Sequence, residues 1–93
     1  MGKYIIQLSK DAKFDLQAIK RSGRKSDIEK ISIFFGELEN DPRSGTGMPE
    51  RLKHYNGEVW SRRINKKDRL IYEILETEML VLVVSVLAHY SDK

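Results

Sequence analysis

Near its C-terminal end the chain carries MLVLVVSVLA, Met79 to Ala88, ten residues in which Ser85 is the single polar side chain. The run is about half the length a helix needs to span a bilayer, and its valines favour a strand. A strand apolar on both faces must lie inside a sheet with each face covered, or have one face covered by a partner. A chain of 93 residues buries only roughly 60 to 65 per cent of the surface its unfolded form exposes, enough for one modest core. One domain spanning residues 1–93 is therefore expected, built around this strand. With no cysteine in the sequence, packing alone must hold it, which agrees with a reducing compartment. There is no basic-then-apolar leader pattern at the N-terminus, so the expectation is a cytoplasmic protein with no membrane contact.

The rest of the chain is punctuated by turn and cap residues. KYIIQL, Lys3 to Leu8, reads as a strand, and Ser9 can cap a helix over Lys10 to Ser22 with Ala12, Leu16 and Ile19 on one side and Gly23 as its stop. SDIE at Ser26 has the spacing of a capping box for a second helix whose stripe is Ile28, Ile31, Phe34, Phe35 and Leu38, ended by Asn40, Asp41 and Pro42. Residues 42–57 contain Gly45, Gly47, Pro49 and Gly57 and show no periodicity, which predicts a long loop of the kind that carries sites. Then follow strand-like runs over 58–64, 69–75 and 79–88, joined by connections short enough for hairpins. The order β-α-α-β-β-β implies an α+β fold with two N-terminal helices on one face of an antiparallel sheet. In the run EVWSRRI, Trp60, Arg62 and Ile64 share one face and Ser61 and Arg63 the other. If Trp60 and Ile64 meet the helices, Arg63 points into the open face, and Arg62 turns inward toward an acidic partner.

Charge is unevenly spread along these elements. Residues 1–50 hold nine Lys and Arg against eight Asp and Glu, residues 51–69 seven against two, and residues 70–93 one against four. The local balance is thus +1, +5 and −3, which sums to the net charge of +3. A basic segment of this kind attracts polyanions without naming one, or is simply a solvated surface. For RNA cleaved by its own 2'-hydroxyl, three roles need filling: a base for that hydroxyl, cations for the phosphate, and an acid for the leaving 5'-oxygen. Glu50 offers a carboxylate; Arg63 and Arg69 offer guanidiniums; His89 and Tyr90 offer an imidazole and a phenol. Lys53 and His54 stand in the same loop as further RNA-binding groups. Each also has an ordinary structural reading: a solvated Glu50, a His54 packed on the sheet edge, an amphipathic tail at His89 and Tyr90, and Trp60 in the core. The two histidines have no metal-ligand spacing, and neither a metal nor a cofactor is expected.

PERLKHYNGEVWSRRINKKDRLIYEI, closed by AHY, resembles the YoeB/Txe toxins of the RelE-like superfamily, whose pattern is Pro-Glu-x-Leu-Lys-His, then Trp-Ser-Arg-Arg-Ile, then Arg-Leu-x-Tyr, ending in His-Tyr. The resemblance is close over residues 49–72 and 89–90. It implies a RelE-like microbial RNase fold and the toxin of a type II toxin-antitoxin pair, an endoribonuclease that cuts mRNA in the ribosomal A site and stops translation. Carried over by position, Glu50 falls on the general base and His89 on the general acid. Arg69, with Arg63 beside it, falls on phosphate stabilisation, and Lys53 and Tyr90 on RNA binding and orientation. The implied partners are a cognate antitoxin, the 30S A site and mRNA, with self-association a further expectation.

The pattern departs from the family's at Met48 and Arg51, which stand where lysine and proline are usual, and at Gly57, one residue early. A longer last hairpin and the tail Ser91 to Lys93 bear on the placement of His89 more than on that of Arg69. Two competing readings are a toxin of this fold that poisons DNA gyrase without cutting RNA, and a non-catalytic module that binds RNA or an acidic partner.

Overall fold

A computed structural model describes residues 3–89. Strand β1 (Ile5–Leu8) leads into helices α1 (Lys10–Ser22) and α2 (Lys25–Asn40). Then come β2 (Glu50–Leu52), β3 (Glu58–Arg63), β4 (Asp68–Leu75), a 3-10 turn (Glu76–Glu78) and β5 (Leu80–His89). The sheet order is β1-β5-β4-β3-β2. Both helices pack on one face of it, where Ala12, Ile19, Ile31, Phe34 and Leu38 meet Leu70, Tyr72, Ile74, Val81, Val83 and Val86.

The α+β reading holds, with three corrections. First, the sheet is mixed: β1 pairs with β5 in parallel, Ile5 opposite Leu80 through Leu8 opposite Val83. Only strands joined by short turns are forced to run antiparallel, and β1 is separated from β5 by most of the chain. Second, the predicted loop over 42–57 contains β2, which pairs antiparallel with β3. Third, α2 begins at Lys25 with Arg24 as its cap and no side-chain capping bond, so the capping box at Ser26 does not form. A tertiary ion pair sets the start instead: Arg24 Nη1 lies 3.3 Å from Asp68 and 3.5 Å from Asp27. As the open second face implied, β5 is interior in the sheet order with helices on one of its faces, and Val84 is 37% exposed on the other.

β5 resolves its apolar surplus by changing phase. Its pairing with β4 shifts register twice, between Arg69 and Ile71 and between Ile71 and Tyr72. Val81 and Val83 are therefore followed into the core by Val86, while Ser85, the next residue in strict alternation, stays half-buried outside it. The carboxylate of Asp15 on α1 accepts the amides of Val86 (3.0 Å) and Leu87 (3.1 Å) at this irregularity. Ser9 does double duty at the start of α1. Its side chain accepts the Ala12 amide and donates to the Val84 carbonyl at 2.6 Å. Gly23 closes α1 with φ 74°, the left-handed conformation glycine adopts freely.

One buried cation organises the segment after α2. Arg62 is 0% exposed, and its five N–H donors are matched by five bonds. Nε donates to the Tyr72 hydroxyl (3.2 Å), Nη1 to Glu37 (2.6 Å) and the Thr46 carbonyl (3.1 Å), and Nη2 to the carbonyls of Ser44 (2.6 Å) and Pro42 (3.4 Å). The guanidinium also sits over the Phe34 and Tyr72 rings. Burial alone would raise the Glu37 pKa, but the Thr46 amide and hydroxyl and Arg62 together hold it below the ordinary carboxylate value. Burial raises that of Tyr72.

Replacing Arg62 by Met leaves a carboxylate and several carbonyls without their donor, and the expected loss is about 3–5 kcal/mol in urea unfolding. Because Glu37 has a lowered pKa in the folded chain, its contribution is present at neutral pH and is lost as pH falls below the ordinary carboxylate range. Glu37→Gln should therefore flatten the stability curve between about pH 5 and pH 3, and an unchanged slope would show that Arg62 does not rely on that charge.

Candidate active site

The site lies on the sheet face away from the helices, at the β2 edge. Paired residues across a ladder point to the same face. Glu50 is opposite Ser61, and Arg63 is opposite Arg69. Leu70 and Tyr72, the alternate residues of β4, are buried against the helices, so Arg69 projects the other way. Met48, Pro49, Glu50, Ser61, Arg63 and Arg69 line one cavity of about 250 Å³. Its floor is Ser61, 2% exposed.

Two local structures set this geometry. The β3–β4 turn is built on Asn65, whose Oδ1 accepts the amides of Lys67 (2.8 Å) and Asp68 (2.9 Å). Its amide nitrogen donates to Asp27 and Asp68 at 3.0 and 3.1 Å. Asp68 is in turn paired with Arg24, so the turn that puts Arg63 across from Arg69 is bolted to the start of α2. On the other side, the Arg63 amide donates to the Gly47 carbonyl at 2.7 Å and ties the strand to the incoming loop. A Cβ on Gly47 would come within 2.5 Å of the Phe34 ring, so the backbone at φ 83° passes directly over the core before it reaches Glu50.

Of the residues expected from the sequence, Glu50, Arg63 and Arg69 come together. Lys53 and His54 do not line the cavity; they are exposed in the turn over 53–57 at the far end of the β2–β3 hairpin. The His89 backbone pairs with Asp68, one step from the Arg69 and Ala88 pair. The His89 side chain and Tyr90 lie outside the described residues. Trp60 packs half-buried against the core, with its indole N–H donating to Glu58 at 3.0 Å, as the strand alternation implied. Sequence reasoning placed Ser61 on the correct face without giving it a part in the site, and it treated Met48 only as a departure in pattern. No helix among the described residues is long and apolar enough to cross a membrane.

A family model described as the YoeB-like toxin of bacterial type II toxin-antitoxin systems matches residues 9–90. The chain belongs to this YoeB family of toxins. Toxin YoeB of Mycobacterium bovis is 36% identical over 72 residues, 77% of this chain and 79% of that protein. Toxin YoeB of Synechocystis is 36% identical over 55 residues, 59% of this chain and 64% of the relative, so that match spans less than two thirds of it. Among solved structures, the YoeB dimer from Staphylococcus aureus superimposes with a TM-score of 0.81 at 27% identity, covering 95% of this chain and 99% of that one. The heterotetrameric YoeB-YefM complex from the same organism gives 0.75 at 28% identity, with 94% and 98% covered.

In this YoeB-family toxin Arg63 and Arg69 are paired across the β3–β4 ladder and line the same cavity as Glu50, so two cationic side chains border a space that an anion can enter. An anion bound there should raise the melting temperature. At ten times its Kd, inorganic phosphate should add about 1.4 kcal/mol, or roughly 6–11 °C for a domain of this size. Arg63→Ala and Arg69→Ala should each reduce the shift in thermal melts, and an equal shift in both variants would place the anion elsewhere.

Proposed function

We propose that this toxin is a ribosome-dependent endoribonuclease that cuts mRNA in the A site by attack of the ribose 2'-hydroxyl. The observation that carries the reading is the convergence of Glu50, Arg63 and Arg69 on one cavity. Glu50 takes the proton from the 2'-hydroxyl as the new bond from that oxygen to phosphorus forms. Arg63 and Arg69 neutralise the charge that grows on the non-bridging oxygens. The bond to the 5'-oxygen breaks, and His89 supplies its proton. The products are a 2',3'-cyclic phosphate and a free 5'-hydroxyl, so no water, metal or cofactor enters the balance. Tyr90 orients the RNA, and Lys53 and His54, exposed in the turn over 53–57, bind it beyond the cavity, with the ribosome aligning the message.

The position of the two arginines supports this assignment physically. Rigid strands hold charged donors where the phosphate gains charge, and such preorganised groups do more in a partly desolvated cavity than in water. Within the family, the Staphylococcus aureus relative is seen as a YoeB dimer and with YefM. By the same reading, this chain has a cognate antitoxin, acts in the cytoplasm and self-associates.

Cleavage of a defined message on purified ribosomes tests the proposal. Glu50→Gln should slow single-turnover cleavage about 100- to 10,000-fold, and Arg69→Ala about 100- to 1,000-fold, with both variants folded by circular dichroism. Wild-type cutting that does not need translation, or full activity in Glu50→Gln, would overturn the assignment. Intact mRNA with damaged DNA after induction would point to gyrase instead.

A further inference from the structure

Met48 holds a backbone conformation that its residue type disfavours. Its φ is 52°, in the left-handed region that a residue other than glycine rarely adopts. Gly45 and Gly47, with φ of 124° and 83°, meet the same demand without a side-chain penalty. The surroundings impose it from both sides. Upstream, Gly47 is pressed against Phe34 and Arg62, and its carbonyl is held by the Arg63 amide. Downstream, Glu50 is fixed opposite Ser61. The chain must turn between these two anchors, and the turn leaves the Met48 side chain 71% exposed at the cavity instead of in the core.

Such local strain clusters at functional positions when the surrounding structure over-determines it. Arg63 and Arg69 give the cavity its cationic lining, and Met48 and Pro49 its apolar lining. In a cavity of about 250 Å³, a phosphodiester lying on the two guanidiniums brings its nucleoside within reach of that apolar lining. We propose that Met48 is a specificity-determining contact, its thioether packing on the face of the unpaired nucleobase next to the phosphate held by Arg63 and Arg69. This rests on the ribonuclease reading above. A thioether is polarizable and adaptable and has no strong donor or acceptor, so it senses the extent of the ring face and not its hydrogen-bonding edge.

The test uses the full chain with its methionine methyl groups labelled with carbon-13, the Met48 signal being assigned by its loss in Met48→Leu. The probe is an uncleavable 2'-O-methyl trinucleotide. Binding should move the Met48 methyl signal upfield through the ring current. An analogue lacking the flanking base should leave that signal in place and bind about 2- to 10-fold more weakly. Met48→Ala should lose the same factor in affinity at an unchanged melting temperature, since the side chain packs in no core, and Met48→Leu should regain most of it. If the Arg63 and Arg69 side-chain signals respond while Met48 stays still, or if Met48→Ala binds as tightly as wild type, the base contact is wrong and the ribonuclease reading stands. If neither the arginines nor Met48 respond, both fall together.

Discussion

The buried guanidinium of Arg62 joins the fold to the site. A charge with no exposed surface is tolerated only when its donors are matched, and here a carboxylate, a phenol and three loop carbonyls match them. Those carbonyls belong to Pro42, Ser44 and Thr46, so satisfying the charge dictates the path of the loop that leads to Glu50. Arg63, the next residue, must face the other way on the same strand. One arginine therefore shapes the loop from inside while its neighbour serves the cavity outside. Neither position tolerates a shift by one residue, because a slip would bury Arg63 and expose Arg62.

The opposed pair of Arg63 and Arg69 depends on a second polar cluster. Asn65, Asp68, Asp27 and Arg24 connect the β3–β4 turn to α2 through short bonds around two carboxylates. Hydrogen bonds of this kind fix the register in which two like charges come face to face. Packing alone would favour any register that buries Leu70 and Tyr72. The helix start is drawn into the same arrangement, and so Arg24 sets the boundary of α2 where Ser26 has the better capping side chain.

Much of this was legible because the relevant signals are local. The period of two in EVWSRRI separates Arg62 from Arg63, and the acidic partner of Arg62 followed from the high cost of burying a lone cation. The helical stripes found Ile31, Phe34 and Leu38 for the same reason. What was not legible is tertiary. β2 is three residues long and lies between Pro49 and a turn, too short to show alternation; it exists because β3 offers an edge. The parallel pairing of β1 has no turn to announce it. The register shifts of β5 depend on Asp15, more than 70 residues away. The seclusion of Lys53 and His54 from the cavity follows from which end of a hairpin each occupies, and a resemblance in residue types does not carry that information.

The groups of the cavity rest on foundations of different strength. Arg63 and Arg69 stand on strands paired over six residue positions, Glu58 to Arg63. Glu50 begins a strand with only three pairs at the sheet edge, a structure of little stability by itself. Its position is held from the preceding loop. Asp41 accepts the Ser44 hydroxyl (2.8 Å) and the Arg43 amide (3.2 Å), and Arg43 reaches Glu58 at 2.7 Å and Glu76 at 3.0 Å. The Arg43 bond holds the Glu58 carboxyl below its ordinary pKa; Tyr4, then Arg43, do the same for Glu76, so both carboxylates stay charged at neutral pH. With Arg62 gripping the same loop from beneath, a segment rich in Gly and Pro has lost most of its freedom before any ligand arrives. The conformational entropy that substrate binding would otherwise have to remove is removed on folding, which is how a loop can present a carboxylate with the precision of a strand.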